Sequence, residues 1–369
     1  MTIVNTRRVE LRMLITKVEF GTAIGAVTLR VIGFMVALLV AGSLSRVITS
    51  WDGSHFIDIA RSGYPIGQPL SASFRLAFFP LWPALLALLV RLPVDLGVVV
   101  VAFGVVSTLV SAVLLQRLLV ERIGAREATL VTLLWAALPP NWVYLSAYSE
   151  SLFVVIELLL LLSMQRRSHR AVAVFALLIG LCRPQGLIWA AAAALWMMRS
   201  NQRVVTRVIG ACVALAGFAL WQIAVSVATG IPFGWFAVEA LPGWGQGVGV
   251  APFAAAIDAI AALPTGVIDR RIAMIPIMIG TAAALVLLIR RRRLMLGTWP
   301  TIASTALVFF LAGGIGSIPR YISGAPLILL GVTKYLSGSK VREAVAVGLL
   351  LAASVALSFY NLSIGGSNP

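Results

Sequence analysis

The chain has 369 residues, 60% of them hydrophobic and only 11% charged, with a mean hydropathy of +1.00. Soluble domains carry about a quarter charged residues, so the composition excludes a soluble globular protein and points to an integral membrane protein. The formal net charge of +16 does not indicate nucleic acid, because the arginines punctuate apolar runs instead of forming one basic face.

Only helices and closed barrels satisfy their backbone in lipid, and runs such as "SLFVVIELLLLL" do not alternate as barrel strands do. The expected class is therefore an all-α polytopic membrane protein. Arg7, Arg8, Arg12 and Lys17 precede the first apolar run, at residues 22–46. The positive-inside rule places residues 1–21 in the cytoplasm and the following loop, residues 47–77, on the outer face. The basic stretch lacks the arrangement of a cleavable signal. Lysine occurs only at 17, 334 and 340; with the abundance of Ala and Val, this arginine bias points to a GC-rich bacterial genome and a plasma-membrane location.

"AFFPLWPALLALLV" holds Pro80 and Pro83 and falls short of the ~20 residues of a crossing, so it is expected to be re-entrant or interfacial. "LGVVVVAFGVVSTLVSAVLL" is expected to cross. Arg117, Arg122 and Arg126, then Arg166, Arg167 and Arg170, Arg199, Arg203 and Arg207, and Arg290 to Arg293 mark cytoplasmic turns. Residues 171–198 have arginines at both ends and divide into two short pieces. That pattern predicts a broken hairpin with its elbow at Arg183 and Pro184, placing Arg183 in a pocket. Residues 230–271 form a second long outer stretch, and the count comes to about eleven spans in one domain covering 1–369, with an outer C-terminus. Trp235, Phe236 and Trp244 are expected in an interfacial aromatic belt, and Arg30 and Arg91 are expected to snorkel to headgroups.

This topology sorts the carboxylates. Asp52, Asp58, Glu150, Glu239, Asp258 and Asp269 fall outside the cytoplasmic segments and join His55, Arg183 and Arg320 as ingredients of one outward-facing polar site. Asp52, at the end of the first span, is placed either to accept a proton from an attacking hydroxyl or to cap the helix that begins at "GSHFIDIA". His55 and Asp58, three residues apart, share a helical face. Glu150 begins a span, where the helix dipole favours a carboxylate. Arg183 and Arg320 suit bidentate contact with phosphate. Asp52, His55 and Asp58 lack the further histidines or cysteines of a zinc-type site, so no metal and no cofactor are expected. Cys182 and Cys212 lie in apolar runs and are read as free, buried thiols.

"WDGSHFIDIARSGYP", "LAFFPLWP", "SAYSESLF" and "CRPQGLIW", in that order, resemble the PIG-V family of GPI mannosyltransferase II and its prokaryotic relatives; "IPRYISGAPLIL" resembles the family's C-terminal element more loosely. The resemblance implies a GT-C-type fold whose first outer loop carries an acidic catalytic residue, here Asp52. It also implies a sugar donor carried on a polyprenyl phosphate. On the matching positions, Glu150 and Arg183 become cavity elements, with His55, Asp58 and Arg320 as substrate-binding residues beside them. The implied reaction is inverting transfer of mannose from polyprenyl-phosphate-mannose to a glycolipid, glycan or protein acceptor. The alternatives are a transporter or flippase of a lipid-linked saccharide, for which paired broken helices in both halves are expected, and a non-catalytic glycosyltransferase subunit.

Overall fold

The structure is a computed structural model describing residues 16–241, 257–258, 260–261, 275–290, 297–311 and 318–363. The described residues are helical and contain no strand. In chain order the helices are α1 (Lys17–Ala41), α2 (Leu44–Ile48), α3 (Asp52–Ser62), α4 (Leu81–Leu89), α5 (Leu96–Ile123), α6 (Ala125–Ala137), α7 (Glu150–Gln165), α8 (His169–Gly180), α9 (Gly186–Met198), α10 (Val204–Thr229), α11 (Gly234–Glu239), α12 (Ile275–Ile289), α13 (Thr298–Leu311), α14 (Ile318–Ser323), α15 (Leu330–Leu336) and α16 (Lys340–Ser363). Short 3-10 turns lie at Leu70–Ala72, Phe74–Ala77, Asn141–Leu145 and Pro326–Leu329.

Helix α1 begins with a capping box: the Glu19 amide donates to Thr16 Oγ1 (3.1 Å), and the Thr16 amide donates to Glu19 Oε2 (2.7 Å). It ends at Gly42, whose φ of 73° closes the last turn by donating to the Leu38 carbonyl at 2.9 Å. That is the left-handed cap glycine supplies without steric cost.

Apolar burial alone does not order helices in lipid, where close packing and internal hydrogen bonds do the work. Asn141 shows how this chain uses both. A Cβ on Gly33 would stand 1.8 Å from Asn141 Oδ1, so the amide lies flat on α1. Asn141 Nδ2 donates to the Leu29 carbonyl at 3.0 Å, and Ser354 Oγ, from α16, donates to Asn141 Oδ1 at 2.6 Å. One side chain thus ties α1 to α16. Gly217 plays a similar part between α8 and α10, its Cβ position lying 2.0 Å from the Leu177 carbonyl.

Helices α1, α5, α6 and α16 pack together as one group, and α8, α9 and α10 form another, with α7 joining them through contacts to α5 and α8. A second apolar cluster, including Phe56, Phe79, Trp82, Trp221 and Trp235, lies under α3 and α4.

Among the described residues, four helices combine the length and hydropathy of a crossing: Lys17–Ala41, Leu96–Ile123, Val204–Thr229 and Lys340–Phe359. Apolar helices of 10 to 17 residues stand beside them, and the expectation of about eleven spans counts such short pieces. Helix α4 is short, and α8 and α9 are two short helices broken at residues 181–185, as the sequence suggested.

Two expectations are corrected. Arg30 does not snorkel; it is 0% exposed, with its guanidinium 4.2 Å from the ring centre of Trp135 and 3.2 Å from that of Tyr144. Trp235 is not in an interfacial belt; it is buried, and its indole donates to the Ala77 carbonyl at 3.1 Å. Phe236 is exposed, while Trp244, Asp269, Arg7, Arg8, Arg12 and most of 230–271 lie outside the described residues.

Candidate active site

Aromatic side chains tie the segment between α1 and α4 to itself and to the turn before α7. Tyr64 Oη donates to the Phe78 carbonyl (3.0 Å), Trp82 Nε1 to the Ala147 carbonyl (3.0 Å) and Tyr148 Oη to the Ser50 carbonyl (2.9 Å). Trp51 has a φ of 48°, a conformation that disfavours bulky side chains. The next peptide enters α3 with Asp52 in its first turn. Gly53 follows because nothing larger fits: its Cβ position is 2.2 Å from the Ile48 carbonyl oxygen. The W-D-G triplet is thus a tight reversal that presents one carboxylate.

Asp52 is not used as a cap. Trp51 occupies that position, with no side-chain cap hydrogen bond, and Arg320 Nη1 of α14 donates to Asp52 Oδ2 at 2.5 Å. The Nε of Arg320 lies 3.0 Å from Glu150 Oε1, and Arg183 Nη1 approaches the same oxygen at 2.8 Å. Four charges from the starts of α3 and α7, the broken turn between α8 and α9, and α14 therefore form one chain: Asp52, Arg320, Glu150, Arg183. Neither arginine snorkels. Arg183 is 5% exposed and Arg320 8%, so burial makes each depend on its carboxylate.

Tyr321 lies beneath both cations, with its ring centre 5.0 Å from the Arg183 guanidinium and 5.1 Å from that of Arg320. The Tyr148 ring flanks Arg320 at 5.2 Å. Burial, reinforced by the Asp52 carboxylate, pushes the Tyr148 phenol above its ordinary value and keeps it protonated.

These groups line one half-open cleft. Its polar wall holds Asp52, Glu150, Arg183 and Arg320, and its apolar wall includes Phe56, Phe78 and Phe79. Glu239, at the end of α11, also faces the cleft; the Trp235 indole anchors that helix.

The structure does not bring His55 and Asp58 onto the cleft wall. Asp58 pairs with Arg75 at 2.6 Å. The His55 ring packs edge-on against Phe74 at 5.0 Å and tilted against Phe78 at 5.5 Å. Burial lowers its pKa below the usual histidine value, against an upward pull from Asp52, so His55 is neutral at pH 7. Asp258 is exposed and lies off the cleft wall, and Asp95 is the cap of α5, accepting from the Val98 amide at 3.2 Å. Among the described residues, no three His, Cys, Asp or Glu side chains converge in a metal-binding group. Cys182 is buried and free, and Cys212 is free but exposed.

Sequence reasoning missed Tyr148 and Tyr321. Each stands next to a charged motif, in "SAYSES" and "PRYISG", but which side of a short turn faces the cleft is set by tertiary packing.

The model of a known family, Mannosyltransferase (PIG-V), matches residues 8–208. The match covers more than half of the chain and includes Asp52, Glu150 and Arg183, while Arg320 lies beyond it. No curated protein matches the chain. With the Trp-Asp-Gly reversal, the Glu150 and Arg183 pair and the broken hairpin all inside the matched region, the chain belongs to the PIG-V mannosyltransferase family.

Proposed function

We propose that this membrane glycosyltransferase transfers mannose from a polyprenyl-phosphate-mannose donor to a hydroxyl of a glycolipid, glycan or protein acceptor, with inversion at the anomeric carbon and Asp52 as the general base. The observation that carries this reading is the bridged set of charges, in which Arg320 touches both Asp52 and Glu150 while Arg183 shares Glu150.

The set is electrically balanced, with two carboxylates against two guanidiniums. Phosphate oxygens of a donor match the arginine forks as well as carboxylates do. A donor phosphate that engages Arg320 draws it from Asp52 Oδ2 and leaves that carboxylate open to an acceptor hydroxyl. The acceptor oxygen then attacks C1 of the sugar from the face opposite the phosphate. The bond from C1 to the phosphate oxygen breaks, its electron pair leaves with the polyprenyl phosphate, and the acceptor proton passes to Asp52. A β-linked donor thus gives an α-mannoside. Arg183 and Arg320 stabilise the charge on the departing phosphate, and Glu150 holds both arginines where that charge appears. The aromatic wall of the cleft is suited to the apolar face of a sugar. By the positive-inside reading, the site faces the outer side of the membrane.

The test is transfer of labelled mannose from a polyprenyl-phosphate donor in membranes containing wild-type protein or Asp52→Asn at matched expression. Loss of a general base lowers turnover by about 10²- to 10⁴-fold. Transfer that survives the substitution removes Asp52 from the mechanism, and a wild-type protein inactive with this donor removes the donor assignment.

A further inference from the structure

Residues 158–238 contain seven arginines and no aspartate, glutamate or lysine. Arg183 belongs to the cleft. The other six, Arg166, Arg167, Arg170, Arg199, Arg203 and Arg207, fall at two tight connections, from α7 to α8 and from α9 to α10. These connections meet: the His169 ring centre is 4.9 Å from that of Trp196, and Arg207 Nη1 donates to the Met198 carbonyl at 3.1 Å. Helix α7 separates this corner from Glu150 by sixteen residues, about 24 Å of helix, so the corner is remote from the cleft.

Arginines at the same end of the bundle are treated differently where α1, α5, α6 and α16 meet. There Arg117 pairs with Glu19 at 3.3 Å and Arg126 with Glu343 at 2.9 Å. Among the described residues, no carboxylate pairs with any of the six corner arginines. Three buried polar atoms at this same place, His169 Nε2, Ser200 Oγ and Arg207 Nε, have no hydrogen-bond partner. Unpaired buried polar groups are costly and call for a missing partner, which for the Arg207 N–H is an acceptor. In addition, α8 and α10 both begin here without a side-chain cap, turning two positive dipole ends toward the corner.

We propose that this corner is a binding site for the phosphate headgroup of an anionic phospholipid of the surrounding bilayer. A membrane lipid is favoured over a soluble anion by what adjoins the arginines. Val204, Val205, Val208 and Ile209, interleaved with Arg203 and Arg207, are all exposed. They present an apolar strip for acyl chains directly below a cationic rim. The positive-inside rule accounts for arginines at this end, but not for three buried polar atoms left unpartnered beside them.

The test is native mass spectrometry of the full-length protein in zwitterionic detergent, titrated with phosphatidylglycerol or with phosphatidylcholine of the same acyl chains. The wild type is expected to retain phosphatidylglycerol preferentially. Neutralising Arg199, Arg203 and Arg207 together to Gln is expected to weaken that retention by about 100-fold, at roughly fivefold per arginine. Arg122→Gln, at the same end but outside the corner, should leave retention unchanged. If the triple variant does not fold, the single exposed change Arg203→Gln reads the same effect at about fivefold. Equal retention of the two lipids, or a preference that survives neutralisation, overturns the proposal. Displacement of the bound lipid by millimolar inorganic phosphate overturns the lipid assignment in favour of a free anion. Binding is read without sugar transfer, so these outcomes do not depend on the reaction assigned to the cleft.

Discussion

The protein buries arginines in two different ways. In the cleft, Arg183 and Arg320 lie against carboxylates; in the bundle, Arg30 lies between the rings of Trp135 and Tyr144, and among the described residues no carboxylate pairs with it. An aromatic face attracts a cation but accepts N–H groups poorly, so Arg30 has nothing to exchange with an incoming ligand. Carboxylates are exchangeable, because a phosphate offers the same fork of oxygens. The difference separates a sealed structural cation from two poised for binding. Yet the two places are linked. Trp135 Nε1 and Tyr144 Oη both donate to the Ser323 carbonyl, at 3.0 and 2.6 Å, and Ser323 Oγ donates to the Arg320 carbonyl at 2.7 Å. The aromatic box around Arg30 therefore fixes the short helix that carries Arg320.

The contrast breaks most severely in the cleft. Arg183→Gln leaves the nearly unexposed Glu150 with one cation in place of two. It is expected to destabilise the protein by about 3 kcal/mol or more and to abolish transfer. Adding Glu150→Gln to that variant removes the uncompensated charge, so thermal stability should return while transfer stays lost. Recovery of transfer in the double variant would show that the pair is only structural. Gly53→Ala comes next: its methyl would overlap the Ile48 carbonyl, with an overpacking cost of about 1–3 kcal/mol. The reversal that presents Asp52 would open, and turnover should fall while Tm drops modestly. Tyr144→Phe sharpens the link between the two arginine environments. It removes one buried hydrogen bond to Ser323, worth about 1 kcal/mol, and is expected to lower kcat several-fold with KM for the acceptor unchanged, because it acts through the placement of Arg320.

Much of the fold was legible because hydropathy and arginine spacing are strong signals in a membrane chain. The first long apolar helix, the short proline-bearing α4 and the break at Arg183 follow from run length, the prolines and the flanking arginines. Asp52, Glu150, Arg183 and Arg320 were legible as candidates because an ionisable residue in or beside an apolar run needs a reason. Their pairing was not legible. Arg320 meets Asp52 across 268 positions, and nothing local in "IPRYIS" indicates which carboxylate it will find. Arg30 misled for the same reason: one arginine in an apolar helix looks like a snorkelling residue until Trp135 and Tyr144 close over it. His55 and Asp58 were drawn into the site by their nearness to Asp52 in sequence. The rotation of α3 instead directs Asp58 to Arg75 and His55 to Phe74 and Phe78.

That displacement of His55 gives the smallest predicted effect and a check on its neutral, structural role. Burial depresses its pKa in the folded protein below the ordinary 6.5, so between the folded value and 6.5 the unfolded chain binds more protons. Stability therefore rises with pH through that window. Equivalently, this contribution is intact above pH 6.5 and is lost as the pH falls through the depressed folded value. Thermal unfolding followed from pH 7.5 down to pH 5 should show the wild type losing Tm, with His55→Gln losing less over the same range. Asp52 opposes the depression, since its negative charge favours imidazolium. Asp52→Asn should therefore deepen the acid sensitivity of the wild-type histidine even as it removes transfer. An acid profile that is the same in all three proteins would mean that His55 does not titrate below its ordinary value, and the aromatic packing by Phe74 and Phe78 would then not control its charge.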